Sequence, residues 1–446
     1  MKQVFKQIII DFQETPLPQA RGREFQLPGL PAGVRKAFVL IGMRRSGKTW
    51  SLYQHMQHLL QNGAQRDQIL YINFEDDRLV NLTVKDLQSI LDAYYELFPQ
   101  YIDNKNLHFF FDEIHEILGW EKFIRRLLDA ELMTIYISGS SAKLLSKEIA
   151  TTLRGRAITR EIFPFDFKEY LHFKNIVIPE KISSKQKALF SHHVKDFLRW
   201  GGFPETIHAA PALHREILQD YIEIVVYRDI VQRHKISNAM AVKRLLIYCL
   251  QNSAALFSVN KLYNSFKSMG IAISKNSLYE FMEFFADAYC IFNVPLYHFS
   301  SKKTILASKK IYPVDQGMIT AYTIKQNHEE AARLETAVFA HLRHHQPDIY
   351  YYHTESNQQI DFLTVNSAGE IALYQSSLTL ADPETKTREV NALRQAMSEL
   401  NVNYAVIITL DEEEQITVDE GVIDCIPAWR FLLHAIATSD LDKLIL

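Results

Sequence analysis

Ala37-Phe38-Val39-Leu40-Ile41-Gly42-Met43-Arg44-Arg45-Ser46-Gly47-Lys48-Thr49 decides the fold: an apolar run of strand character closes in a complete G-x-x-x-x-G-K-[ST] loop. Gly42 and Gly47 let the backbone curl so that successive N–H groups, with Arg44, Arg45 and Ser46 between them, face the β- and γ-phosphates. Lys48 reaches the same oxygens, and the Thr49 hydroxyl is placed to ligate Mg²⁺. A helix over 48–60 adds its positive end to the site. A turn without a ligand is the bland alternative. All four fixed positions, set between a strand and a helix, argue against it, and a bound nucleoside triphosphate is expected.

Outward from this loop, strand and helix patterns alternate. Further strands read at 68–74, 107–111, 133–138 and 157–163. Helices read at 85–98, with Leu87, Ile90, Leu91 and Tyr94 on one face, and at 120–132, with Phe123, Ile124, Leu127 and Leu128. This is the α/β layout of a parallel sheet covered by helices, whose ligands bind at the carboxyl ends of the strands. The 107–111 strand is closed by Asp112-Glu113. There the first acid holds Mg²⁺ through water and the second orients or deprotonates the attacking water, so Asp112 is the expected magnesium residue and Glu113 the expected catalytic base. A helix cap followed by an acidic turn is the other use of such a pair. The second strand ends at Glu75-Asp76-Asp77, a weaker cluster, because acids are common in turns.

The fourth strand ends in Ser138-Gly139-Ser140-Ser141. Ser138 and Ser140 are candidates for bonding the γ-phosphate or the lytic water, and Ser140 or Ser141 serves equally well as the cap of a helix over 142–150. None of these serines sits in G-x-S-x-G, so no hydrolase nucleophile is indicated. Arg154 and Arg156, around Gly155, have the character to neutralise a transferring phosphate in their own subunit or in a neighbour's, the latter requiring a homo-oligomer; a structural surface pair is the alternative.

A chain of 446 residues allows about three domains. No apolar stretch approaches the ~20 residues of a membrane span, and residues 1–14 lack the apolar core of a signal peptide, so a cytoplasmic protein without membrane contact is expected. Cys249, Cys290 and Cys425 are scattered and suggest core thiols. Among the 17 histidines, His192-His193 and the His341/His344 pair lack a third ligand at metal spacing. With a net charge of −3, any DNA binding must come from a local patch.

The order of Ile41 to Thr49, Tyr71-Ile72-Asn73-Phe74-Glu75, Phe110 to Ile114, Ser138 to Ser141 and Leu153-Arg154-Gly155-Arg156 resembles the signature set of the bacterial and archaeal AAA-like P-loop ATPases that carry a C-terminal region of unknown function. The likeness continues through Trp200-Gly201-Gly202-Phe203-Pro204-Glu205, Tyr227-Arg228-Asp229-Ile230 and Tyr312-Pro313-Val314-Asp315-Gln316-Gly317. It implies an N-terminal segment at 1–35, an ATPase domain at 36–168, a helical lid and linker at 169–240, a winged-helix segment at 241–325, and a C-terminal α/β module at 326–446 similar to the PD-(D/E)xK nuclease fold. ATP rather than GTP is likewise implied by the resemblance.

The winged helix has support of its own. Residues 258–268 form a capped helix, Gly270 breaks it, and Ser274 caps a second helix over 275–286, followed by a strand at 289–297. Lys275, Asn276 and Tyr279 are the candidates for facing a double-stranded DNA groove. Glu280 and Glu283 share that helix and the region is not strongly basic, so DNA contact and protein docking both stay open. In the C-terminal module, Glu335 lies on a helix over 329–344, Asp361 at a strand start, and the E-x-K positions are Gln375 and Ser377. A neutral amide is a poor Mg²⁺ ligand and no ammonium remains, which argues against cleavage unless Lys386 or Arg388 substitutes. The expectation is an ATP-dependent switch or motor subunit. The alternatives are a slow-turnover nucleotide-dependent binding module and an ATP-controlled DNA nuclease.

Overall fold

The computed structural model describes residues 1–19, 23, 25–31, 33–103, 106–130, 133–139, 152–323 and 329–434. The chain divides into two compact units, Met1–Phe163 and Pro164–Leu446.

In the first unit, β1 (Ala37–Ile41), β2 (Ile69–Asn73), β3 (Leu107–Asp112), β4 (Met133–Ser138) and β5 (Ala157–Glu161) form one parallel sheet in the order β2-β3-β4-β1-β5. All five residues of β1 are buried, as a strand covered on both faces requires. Helices α2 (Lys48–Gln61), α3 (Gln88–Leu97) and α4 (Trp120–Ala130) alternate with the strands. The residues expected as a separate N-terminal segment begin with helix α1 (Lys2–Glu14), which buries Phe5, Ile8 and Ile9 and packs on α3 and β2. Its outer side is tied down by ion pairs of Lys2 and Lys6 with Glu96 and of Asp11 with Arg78. The helix expected over 142–150 lies outside the described residues.

The second unit opens with helices Phe167–Phe173, Ser184–Trp200 and Pro211–Ile224, the last running into a π-helical stretch, Val225–Gln232, that contains the Tyr227-Arg228-Asp229-Ile230 motif. Helix Ala239–Gln251, strand β6 (Leu256–Phe257), helices Val259–Ser268 and Lys275–Asp287, strand β7 (Ile291–Val294) and strand β8 (Lys309–Pro313) follow, with an antiparallel sheet in the order β6-β8-β7. Ser258 and Ser274 cap their helices by accepting from the N–H of Lys261 and Ser277. The strand expected over 289–297 is shorter, because Tyr289 turns through the left-handed region (φ 55°) and Pro295 ends the ladder.

Helix Glu329–His345, the antiparallel strands β9 (Ile349–His353), β10 (Gln359–Val365) and β11 (Ile371–Ser376), helix Pro383–Leu400 and the parallel strand β12 (Tyr404–Thr409) complete an αβββαβ arrangement. The strands β13 (Glu414–Val418) and β14 (Gly421–Pro427) extend it to six strands, ordered β13-β14-β12-β11-β10-β9. The segments expected as separate domains at 169–240, 241–325 and 326–446 share an apolar core, in which Phe190, Phe197, Tyr312, Phe339, Phe362, Tyr374 and Trp429 belong to one cluster.

One buried carboxylate joins the early helices to the end of β8. Asp315 accepts from the N–H of Gly202 at 2.7 Å and of Gly317 at 2.8 Å. A side chain at Gly202 would place its Cβ 2.0 Å from the Phe165 carbonyl oxygen, so the close approach requires glycine. Burial pushes the Asp315 carboxyl up to about 7. A value raised above the unfolded one means that this group favours the fold below about pH 4. That contribution is lost as pH rises through about 7. Asp315→Asn should cost about 1–3 kcal/mol by leaving one buried N–H without an acceptor. It should also flatten the decline in denaturation midpoint between acid and neutral pH, which chemical unfolding of both proteins checks; parallel pH curves would contradict this role.

Candidate nucleotide site

The parallel register carries the ends of β1, β3 and β4 to one edge of the sheet. At this edge the chain leaves β1 through Gly42 (φ 149°), Arg45 (φ 65°) and Gly47 (φ 100°) and enters α2. Gly42 passes so close to the backbone after β5 that a Cβ would lie 2.1 Å from the Ile162 carbonyl oxygen. The Lys48 ammonium is buried over the loop and donates to the carbonyls of Gly42 at 3.0 Å and Met43 at 2.9 Å. Ser46 is fully buried, and among the described residues its Oγ has no hydrogen-bond partner. Arg44 lies 3.8 Å from Glu75 at the acidic end of the second strand.

Asp112 ends β3 and is 1% exposed. One of its oxygens accepts from Thr49 Oγ1 at 2.9 Å and from the Tyr71 hydroxyl at 2.9 Å, and the other accepts from Ser138 Oγ. Burial pushes this carboxyl up from its ordinary range, the neighbouring Glu113 charge adds to the rise, and the three hydroxyls oppose it. A hydroxyl and a carboxylate facing each other beside a phosphate loop form a donor set of the kind magnesium takes. Glu113 follows in the left-handed region (φ 55°), its N–H donating to the Ser138 carbonyl at 3.0 Å. Its carboxylate lies 3.2 Å from Nδ1 of the buried His115, whose Nε2 lies 3.3 Å from Glu116.

The structure thus brings Lys48, Thr49, Asp112, Glu113 and Ser138 to one edge, while Ser140 lies outside the described residues. Arg154 and Arg156 are placed elsewhere. Arg156 immediately precedes β5, and its carbonyl accepts from the N–H of Ala37, the first residue of β1, so both arginines sit at the opposite edge. A five-residue strand spans about 16 Å. Action on a phosphate bound in the same subunit is thereby removed from the expectation. Arg156 pairs there with Asp129 at 2.5 Å, beside Lys122, Arg125 and Arg126 of α4.

Two contributors went unassigned in the sequence. Tyr71 had one signal, a polar tip two residues before the end of an otherwise apolar strand. Arg23 had none: it lies in a polar connection, yet its guanidinium donates to the Ser46 carbonyl at 2.8 Å and the Phe163 carbonyl at 2.6 Å, bracing the loop from outside.

In the second unit, Lys275, Asn276 and Tyr279 are all exposed, and Lys275 donates to Asn260 at 2.7 Å and lies over the Tyr263 ring. Glu335 and Asp361 face each other across the Lys310 ammonium. Gln375 accepts from the Asp361 N–H at 3.0 Å and donates to Glu389 at 2.7 Å, whereas Ser377 Oγ turns to the Thr379 carbonyl. Lys386 pairs with Glu414 and Arg388 with Glu389, so neither supplies an ammonium to Asp361.

The profile of a family described as AAA domain matches residues 34–171, and that of a domain of unknown function, DUF8612, matches residues 191–329. An uncharacterised protein of Methanocaldococcus jannaschii is 35% identical over 445 residues, covering 97% of this chain and 96% of its own. An uncharacterised protein of Haemophilus influenzae is 29% identical over 382 residues, 85% of this chain and 90% of its own. Among solved structures, the Aeropyrum pernix Orc1 protein in complex with DNA has a TM-score of 0.29 at 12% identity, over 64% of this chain and 86% of that one. AMPPCP-bound DnaA from Aquifex aeolicus has a TM-score of 0.23 at 15% identity, over 63% and 85%. Because the archaeal relative is matched almost end to end and the AAA profile falls on the stretch that carries the phosphate loop, this chain belongs to the AAA-like P-loop ATPase family with a C-terminal region of unknown function, shared by archaea and bacteria.

Proposed function

We propose that the chain is an ATP-hydrolysing switch whose nucleotide state is read out by its second unit. The observation that carries this reading is the Asp112 carboxylate, held by the hydroxyls of Thr49, Tyr71 and Ser138 beside the phosphate loop. Loop N–H groups and Lys48 would bind the β- and γ-phosphates, Lys48 exchanging its carbonyl partners for phosphate oxygens. Thr49 directly, and Asp112 through water, would hold Mg²⁺, which when bound neutralises charge developing on the phosphates. Glu113 would accept the proton of the attacking water, and Ser138 would sense the γ-phosphate. With Arg154 and Arg156 at the far edge, a finger role for either would act on a neighbour's nucleotide, so a homo-oligomer is part of the proposal.

The partner proposed for the second unit is double-stranded DNA. A helix, a short strand, two helices and two further strands in the sheet order β6-β8-β7 support a winged-helix reading, with Lys275–Asp287 as the second helix of its helix-turn-helix. Residues 239–313 hold nine Lys and Arg against three Asp and Glu within a chain of net −3, and eight of the nine remain once Lys310, buried against Glu335 and Asp361, is set aside. That basic balance is hidden when Glu280 and Glu283 are read alone. Lys302, Lys303 and Lys309, between β7 and the body of β8, are exposed and suited to phosphate contact.

Phosphate release by the purified chain tests both parts. Glu113→Gln should bind ATP within a few-fold of wild type and turn over ~10²-fold or more slowly, and Lys48→Ala should lose both properties. Duplex DNA should stimulate the wild-type rate, and replacing Lys302 and Lys303 by Ala should weaken that effect and lower its salt dependence. A slow rate indifferent to DNA would favour the binding-module reading, in which the nucleotide-bound state itself is the signal. An undiminished rate in Glu113→Gln would remove that residue from the mechanism.

A further inference from the structure

The resemblance of the C-terminal module to the PD-(D/E)xK fold implies a divalent metal between Glu335 and Asp361, but the donor set does not fit one. Lys310 Nζ, on a side chain only 2% exposed, donates to Glu335 Oε1 at 2.6 Å and to Asp361 Oδ1 at 2.9 Å. Glu335 Oε1 also accepts from the Tyr312 hydroxyl at 2.7 Å, and the second Asp361 oxygen accepts from the N–H and the hydroxyl of Ser376, each at 3.0 Å. The third position, Gln375, has both ends engaged, one with the Asp361 N–H and the other with Glu389. A divalent ion bound to the same two carboxylates at its usual 2.0–2.6 Å would have to share the ammonium's place, and two adjacent cations in a buried site repel strongly.

The ammonium reaches this point because of strand geometry. Lys310 and Tyr312 are two residues apart on β8, so their side chains share a face and both meet Glu335, while the intervening residue Ile311 turns the other way and Lys309 is exposed. β8 belongs to the three-stranded sheet, whereas Glu335 comes from helix Glu329–His345 and Asp361 from β10. The cation is therefore delivered by one sheet to the carboxylates of the other.

We infer that Lys310 is the permanent cation of the Glu335–Asp361 pair: it occupies the position a metal would take, leaves the module without metal-dependent nuclease chemistry, and locks the three-stranded sheet onto the six-stranded one. The reading is independent of ATP hydrolysis. It also locates the loss of cleavage in more than the neutral Gln375 and Ser377, since restoring those two alone would still leave an ammonium between the carboxylates.

Mn²⁺ uptake followed by electron paramagnetic resonance, and thermal unfolding, test it on the full-length, nucleotide-free chain. An Asp112→Asn background removes metal held at the nucleotide site. In that background the chain with Lys310 intact should take up no tightly bound Mn²⁺, and its melting temperature should be unmoved by the ion. Lys310→Met should melt several degrees lower, and millimolar Mn²⁺ should recover part of the loss unless Asp361→Asn is added. A tightly bound Mn²⁺ with Lys310 in place, or a Lys310→Met protein as stable as its parent without metal, would overturn the proposal. Should Lys310→Met fail to fold, Mn²⁺ uptake by the Lys310-containing chain still decides whether the carboxylates accept a metal.

Discussion

A carboxylate taken out of water must be given hydrogen bonds, and the ligand edge of the first unit is organised around that requirement at Asp112. Its three hydroxyl donors come from α2, β2 and β4, so the residue that ends β3 registers four elements at once. The strand order β2-β3-β4-β1-β5 makes this feasible, because β4 lies between the loop-bearing β1 and the acid-bearing β3 and ends in Ser138. Shortening β4 by one residue would turn Ser138 away from Asp112, since successive side chains on a strand alternate faces. The geometry proposed for catalysis and the sheet register are thus one constraint here.

The second unit solves the same problem twice. Asp315 is satisfied by two glycine N–H groups where the early helices meet the end of β8, and the Glu335–Asp361 pair by an ammonium from β8 itself. One strand therefore links the helical part, the three-stranded sheet and the six-stranded sheet. Removing one partner from such a buried cluster leaves an uncompensated group and costs far more than breaking an exposed pair. Surface pairs such as Lys195–Asp411 and Lys187–Glu413, with both members about half exposed, add little by comparison.

Local chemistry was legible in the sequence. The phosphate loop, the five strands of the first sheet, the acid pair closing β3 and the serine caps at 258 and 274 all announce themselves within a few residues, because turn, cap and burial preferences are local. Partnership across the chain was not. Nothing near Arg23 points to the Ser46 carbonyl, and nothing near Lys310 points to carboxylates 25 and 51 positions away. The arginines around Gly155 follow the P-loop in sequence but precede a strand parallel to β1, and parallel register sends them to the other edge. Composition likewise marks where elements begin without saying which of them share a core.

In the proposed mechanism Asp112 is the group that would make nucleotide binding depend on magnesium. Calorimetric titration of ATP into wild type and Asp112→Asn, with and without Mg²⁺, measures this. Mg²⁺ should tighten ATP binding by about tenfold or more in the wild type, equivalent to about 1.4 kcal/mol, and not in the variant. The same magnesium dependence in both proteins would contradict it.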